Sequence, residues 1–273
     1  MNITRQATQR YTSTVRPALN SGMNELAEVS RRCKLAALDM VYKAGRGHLG
    51  TSFSSADIMV AMRSLMNPGD IFISSKGHDA PLQYALLAEY GILERERLDT
   101  LRKIGGLPGH PTVDVPGIVA NTGSLGMGLS KACGFVDAWR LRGLRQRAFV
   151  LLGDGEMSEG QNYEAMLYAA RRDMGELCVA VDCNGWGQDG RAMGAGRIAK
   201  TFNAAGWMVF FAVETDADSL AKCFAGSGTM PVCWIVETRK GQGVSFMMEH
   251  PEIWHQRAPN AEEYARAKEE LDG

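Results

Sequence analysis

Gly-Asp-Gly at 153–155 closes the apolar run "RAFVLLG" (147–153), and the acids Glu156 and Glu159 follow at once. In open α/β sheets, ligands lie beyond the carboxyl ends of the strands. Gly153 permits a sharp turn there, and Gly155 lets a ligand approach the backbone amides of the next helix. An anion such as a diphosphate fits that place, but the Asp154 carboxylate repels it unless a cation lies between them. Magnesium, held by one or two carboxylates together with phosphate oxygens, is the usual solution. A further oxygen ligand is then expected at the next strand end. The run "LCVAVDCN" (177–184) ends in Asn184, about 30 residues after Asp154, the length of one strand–helix–strand crossover. Gly-Asp-Gly alone is equally a plain turn. Asn184, with "EGQ" (159–161) and "QDG" (188–190) nearby, favours the site.

The chain has five histidines. His48 stands in "GHLG", His78 in "SKGH", His110 in "GHP" and His255 in "WHQRAP"; each is flanked by glycine or proline or lies in a loop-like segment. A single histidine is more often structural than chemical, but the side chain titrates near neutrality and can both give and take protons. His250 fits no such pattern and is expected on the surface.

The elements that must position these residues follow from periodicity. Apolar residues at Leu26, Val29, Cys33, Ala36, Met40 and Val41 predict a helix over 24–44, with Asn24 as N-cap and Gly45 as stop. Helices are also expected at 54–66, started by Ser55, and at 80–91, 125–142, 159–173 and 216–226. A short strand is expected at 70–75. The runs at 147–153, 177–184, 206–214 and 232–240 are continuously apolar and rich in β-branched residues, as in strands buried on both faces of a parallel sheet. Alternating strands and helices predict a doubly wound α/β fold. "NAEEYARAKEEL" (260–271) reads as a solvated helix.

Composition excludes several classes. With 45% hydrophobic and 22% charged residues and a net charge of −1, the 273-residue chain has an ordinary globular balance. It shows no bulk basic footprint for nucleic acid. No apolar run approaches the length of a membrane-spanning helix. The six cysteines form no CxxC pair and several lie in apolar runs, so they read as reduced core thiols of a cytoplasmic protein. Residues 1–23 carry Arg5, Arg10 and Arg16 and no acid, and read as an arm rather than a transit peptide. The main domain is expected over 24–262 and a helical tail over 263–273.

In that order, the segments resemble the thiamine diphosphate-binding half of transketolase, whose signature is GDG, roughly thirty residues, then Asn. The similarity extends over "KAGRGHLGTSFSSADIM" (43–59), "SSKGHDAPLQYALLAEYG" (74–91), "GLPGHPTVDVPGIVANTGSLGMGLS" (106–130), "LLGDGEMSEGQNYEAMLYAA" (151–170), "VAVDCNGWGQDG" (179–190), "RKGQGVSF" (239–246) and "WHQRAPN" (254–260). The resemblance implies thiamine diphosphate and Mg2+ or Ca2+ as cofactors. Asp154 and Asn184 would bind the metal through their side chains and Trp186 through its carbonyl. Gly153, Gly155 and His78 would border the diphosphate, and Gly123 and Leu125 the aminopyrimidine and thiazolium rings. Glu159 would join a network linking paired sites. His48 and His255, the latter also touching cofactor, would move protons at substrate hydroxyls; His110 would hold the two-carbon ketol unit, and His78 would serve the chemistry with them.

Full-length transketolases are more than twice this long, and their second domain supplies the glutamate that activates the aminopyrimidine. The resemblance therefore implies the N-terminal subunit of a split enzyme. It would work with a separately encoded C-terminal subunit, as a heterotetramer, on a ketose donor and an aldehyde acceptor. "NPGDIFI" (67–73) and "GWGQDGRAMGAG" (185–196) depart from common members, which leaves open a specialised relative delivering to a carrier protein or an unusual sugar. A non-catalytic cofactor-binding subunit is the other alternative. Deoxyxylulose-phosphate synthase shares "GHLG" and GDG but not "GHP", "EGQ" and "QDG". A 2-oxo acid dehydrogenase subunit does not explain the "GHLG" and "SKGH" histidines. A nicotinamide Rossmann enzyme would need a GxGxxG after its first strand, and there is none.

Overall fold

Side chains alternate across the strand Ala148–Gly153: Ala148, Val150 and Leu152 enter one core, Phe149 and Leu151 another. Successive residues of a strand point to opposite faces, so a strand this apolar must be covered on both. In the computed structural model, which describes residues 25–187, 190–212, 215–226 and 228–273, this is β2 of a five-stranded sheet. The others are β1 (Ile71–Ser74), β3 (Leu177–Cys183), β6 (Met208–Ala212) and β7 (Val232–Glu237), in the order β1-β2-β3-β7-β6 and all parallel. A two-stranded ribbon, β4 (Trp186–Gly187) with β5 (Gly190–Arg191), hangs beyond β3.

Helices α5 (Met127–Leu141), α6 (Gly160–Arg171) and α7 (Ala195–Ala204) cover one face. Helices α1 (Glu25–Ala44), α3 (Ala56–Ser64), α4 (Ala80–Glu89) and α8 (Ala217–Phe224) cover the other. A third cluster joins α1 and α4 to α2 (Leu49–Ser54), α9 (Ser245–Glu249) and α10 (Ala261–Asp272). The start of α1 is held from a distance: Asp218 of α8 accepts from the amides of Leu26 and Ala27 at 3.4 and 3.0 Å. This answers two of the donors that every helix start leaves open. Gly45, at φ +68°, supplies the left-handed residue that ends α1.

The doubly wound parallel fold is as expected, and four differences have physical causes. The helix expected over 54–66 is preceded by its own turn, α2, and the two helices meet at Ser55. Helix α7 was not anticipated, because its glycine-rich approach hides the periodicity. Strand β6 is not buried on both faces. It is the sheet edge, and Met208, Phe210 and Phe211 are exposed. Helix α10 is wet on one side only: Ala267 and Leu271 are buried, Tyr264 stacks on Tyr42 at 4.2 Å and its hydroxyl donates to Asp39 at 2.6 Å. The arm 1–23, the cap Asn24 and Gln188–Asp189 of "QDG" lie outside the described residues.

Candidate functional site

Register brings the strand ends level, with Gly153 of β2 beside Asp182 of β3 and Cys183 of β3 beside Glu237 of β7. Beyond these ends opens a cavity of about 510 Å3. All the residues singled out in the sequence line it: His48, His78, His110, Gly123, Leu125, Gly153, Asp154, Gly155, Glu159, Asn184, Trp186 and His255. They come from seven segments of chain, so it is the sheet that brings them together.

Asp154 is buried where β2 ends, its carboxylate accepting from the amides of Gly155 at 2.8 Å and Gly185 at 2.6 Å. Burial, with the Asp182 carboxylate beside it, raises its pKa to about 7 against those two donors. A buried carboxylate raised in this way is what a cation would relieve. Asn184 stands at the end of β3, its Oδ1 accepting from the Trp186 amide at 3.1 Å. The Trp186 carbonyl faces Gly155: a Cβ there would lie 3.7 Å from that oxygen and 2.8 Å from Gly187 Cα. Residue 155 therefore has to be glycine for the ribbon to close over it. Among the described residues no group of three or more His, Cys, Asp or Glu converges on a metal position. One carboxylate, one amide oxygen and one carbonyl are instead the hard oxygen donors that suit Mg2+ or Ca2+. The residues present fit the metal-bound diphosphate group.

The four motif histidines form one cluster around His48, whose ring centroid is 5.5 Å from His78, 5.9 Å from His110 and 5.5 Å from His255. Burial, reinforced by His255, His110, Arg102 and Arg46, drives the His48 pKa down to about 3. Burial also lowers His78, with Lys76 adding to it, His110, with Arg102, and His255, with Lys240. All four are neutral imidazoles near pH 7. His78 Nδ1 lies 2.6 Å from the Lys76 carbonyl, which only a protonated Nδ1 can use, so Nε2 is the free acceptor. His48 Nδ1 is buried with no partner. An orphaned polar atom of this kind in a cavity wall marks where a ligand group belongs. His250 is exposed, as expected.

Sequence reasoning missed four charged residues of the site. Lys76, between the "SS" and "GH" of its motif, is buried against Asp182 at 2.6 Å and Thr51 at 2.9 Å. Lys240 of "RKGQG" is buried in the cavity wall; burial depresses its pKa and Asp154 opposes that. Both lysines follow strands and precede glycine, the argument that singled out Asp154. Glu156 lies beneath the floor and accepts from the amides of Gly126 at 2.7 Å and Gly153 at 3.1 Å and from the Ser75 hydroxyl. Burial lifts it to about 7 against these donors. The fourth is Asp182 itself, which reads in the sequence as one more residue of an apolar strand.

The chain is similar to known proteins over nearly its whole length. Residues 26–271 match the family described as "Transketolase, thiamine diphosphate binding domain". It is 33% identical to a subunit of the apulose-4-phosphate transketolase of Phocaeicola vulgatus, over 90% of this chain and 93% of that one. The subunit of the same name from Actinobacillus succinogenes is 34% identical, over 92% and 98%. Human transketolase is 33% identical over 85% of this chain, but the match spans 40% of the human protein. The crystal structure of Campylobacter jejuni transketolase superposes with a TM-score of 0.83 at 25% identity, covering 92% of this chain and 43% of the other. The chain belongs to the transketolase family, as its thiamine diphosphate-binding domain.

Proposed function

We propose that the chain is the cofactor-holding subunit of a two-component transketolase, which moves a two-carbon ketol unit from a ketose to an aldehyde acceptor. The observation that carries this is the convergence of His48, His78, His110 and His255 on the cavity that holds the Asp154–Asn184 pair. A site that only stored cofactor would have no use for the neutral imidazoles of His48 and His110.

In this reading Asp154, Asn184 and the Trp186 carbonyl hold a divalent cation, magnesium or calcium. The Gly155 amide, Gly153, His78 and Lys240 border the diphosphate, and Gly123 and Leu125 lie against the rings. Thiamine diphosphate, when bound, supplies a nucleophilic carbon and an electron sink. The protein's own part is to orient substrate and manage its protons. His48 and His255, neutral and 5.5 Å apart, accept a proton from a substrate hydroxyl and return it in the reverse direction. His110 holds the ketol unit and Glu159 reaches toward a second active site. Burial of His48 in the cavity wall keeps water from competing there.

A separate partner is supported by the two bacterial relatives, which are named as subunits and whose lengths this chain spans almost fully. A heterotetramer in the cytoplasm is the form we assign, and among the described residues no helix is long and apolar enough to cross a membrane. Those relatives' names favour a phosphorylated ketose, with a carrier-bound acceptor as the alternative. The test is co-expression with the neighbouring open reading frame and a two-carbon transfer assay with thiamine diphosphate and Mg2+. Sugar phosphates and carrier-bound aldehydes would be offered in parallel. Transfer is expected from the complex and not from the chain alone. His110→Ala should lower kcat at least about 100-fold, the range of a lost acid–base or positioning group, while cofactor affinity stays within about threefold. A complex that forms and binds cofactor but transfers nothing overturns the proposal.

A further inference from the structure

Asp182 has no solvent exposure and sits one residue before the end of β3, under the cavity floor. Its Oδ2 accepts from Lys76 Nζ at 2.6 Å, Ser54 Oγ at 2.7 Å and Asn184 Nδ2 at 3.2 Å. Its Oδ1 accepts from the Thr238 hydroxyl on β7's exit. Four donors leave this carboxylate little capacity for a metal of its own. Asn184 Nδ2 also donates to Ser54 Oγ at 3.2 Å, so both partners of the amide nitrogen lie on the Asp182 side. The amide oxygen is turned the other way, toward Trp186. A flipped amide would set Oδ1 against the Asp182 carboxylate, so the carboxylate enforces one orientation.

Lys76 gives the arrangement its charge balance. Without the Lys76 ammonium, the Asp182 carboxylate would be buried and unpaired beneath Asp154. Lys76 also donates to Thr51 Oγ1 at 2.9 Å, fixing the pair to α2, the element that follows His48.

We propose that Lys76 and Asp182 form a positioning pair that orients the Asn184 amide for the metal ion, and that metal-dependent binding of thiamine diphosphate depends on both. The inference rests on the functional reading above and gives two residues a role exerted through Asn184.

The test is calorimetric titration of thiamine diphosphate into the full chain assembled with its partner, at several Mg2+ concentrations. It compares wild type with Asp182→Asn, Lys76→Met and the double variant. At low Mg2+ each single variant should bind cofactor about 10–100-fold more weakly, the loss typical of removing a partner of a metal ligand, and the deficit should narrow to within about threefold at saturating Mg2+. The double variant should be no worse than the weaker single, because the two residues act as one unit. A pair that serves only folding would lower the melting temperature and leave that metal dependence unchanged. Folded variants with wild-type affinity, or a loss indifferent to Mg2+, therefore overturn the inference. Where a single variant fails to fold because its buried charge is left unpaired, the double variant, neutral at both positions, carries the comparison. Failure of the wild-type assembly to bind cofactor defeats the functional reading instead, and this inference with it.

Discussion

His48 shows how a residue's neighbours decide its chemistry. With its pKa near 3 in the fold and about 6.5 in an unfolded chain, it binds a proton more readily once unfolded. Stability therefore rises with pH across that window and is lost as pH falls below about 6.5. At about pH 5 one fully neutral histidine of this kind lowers stability by about 2 kcal/mol relative to neutral pH. Asp154 and Glu156, both raised to about 7, act in the opposite sense over the same window, so the His48 part is read by difference: from neutral pH to about pH 5 the wild-type urea midpoint should lose ground to that of His48→Gln, which is uncharged throughout. A midpoint in that variant with the wild-type pH dependence would count against the assignment. The histidines and Asp154 were legible in the sequence because each sits in a glycine- or proline-bounded turn. Asp182 and Glu156 were not, since their meaning lies in donors that only tertiary contact supplies.

At the scale of elements, helix α5 holds a natural contrast between two of its glycines. Gly128 packs on Ser75 so closely that a Cβ would sit 2.4 Å from the serine Cβ and 2.7 Å from its Cα. Its amide also donates to the Ser75 hydroxyl at 2.9 Å. Gly134, nearly two turns on, has nothing within 4 Å of such a Cβ. Gly134→Ala should raise stability by up to about 1 kcal/mol, the helix propensity difference. Gly128→Ala should lower it by about 1–3 kcal/mol through overpacking. Thermal melts of the two variants give the signs directly, and two shifts of the same sign would contradict this account. Periodicity found α1, α5, α6 and α8 within a few residues, because each carries an apolar stripe. It could not divide α2 from α3, where the packed segment 49–62 is buried on all sides and has no stripe to read.

For the whole molecule, layer order was legible from four apolar strands alternating with helices, but strand order was not. An apolar run at the edge of a sheet looks in sequence like one at its centre. β6 is such an edge, with Phe211 half-exposed. Uncovered apolar edges invite pairing with other chains, and natural proteins blunt them with lysine. Phe211→Lys should raise the temperature at which light scattering appears, while unfolding free energy changes by no more than about 0.5 kcal/mol, as for other surface substitutions. An unchanged scattering onset would mean that the edge is not what aggregates.

The buried Glu156 has a different kind of consequence. One carboxylate binds the exit of β1 through Ser75, the turn before α5 through Gly126 and the exit of β2 through Gly153. These segments lie as much as 78 residues apart in the chain and yet share a single fastener. They therefore have to be exchanged together. A chimera that imports the 153–159 loop from a relative lacking this acid must import its versions of 74–78 and 122–128 as well, or assemble a floor whose parts were never matched to one another.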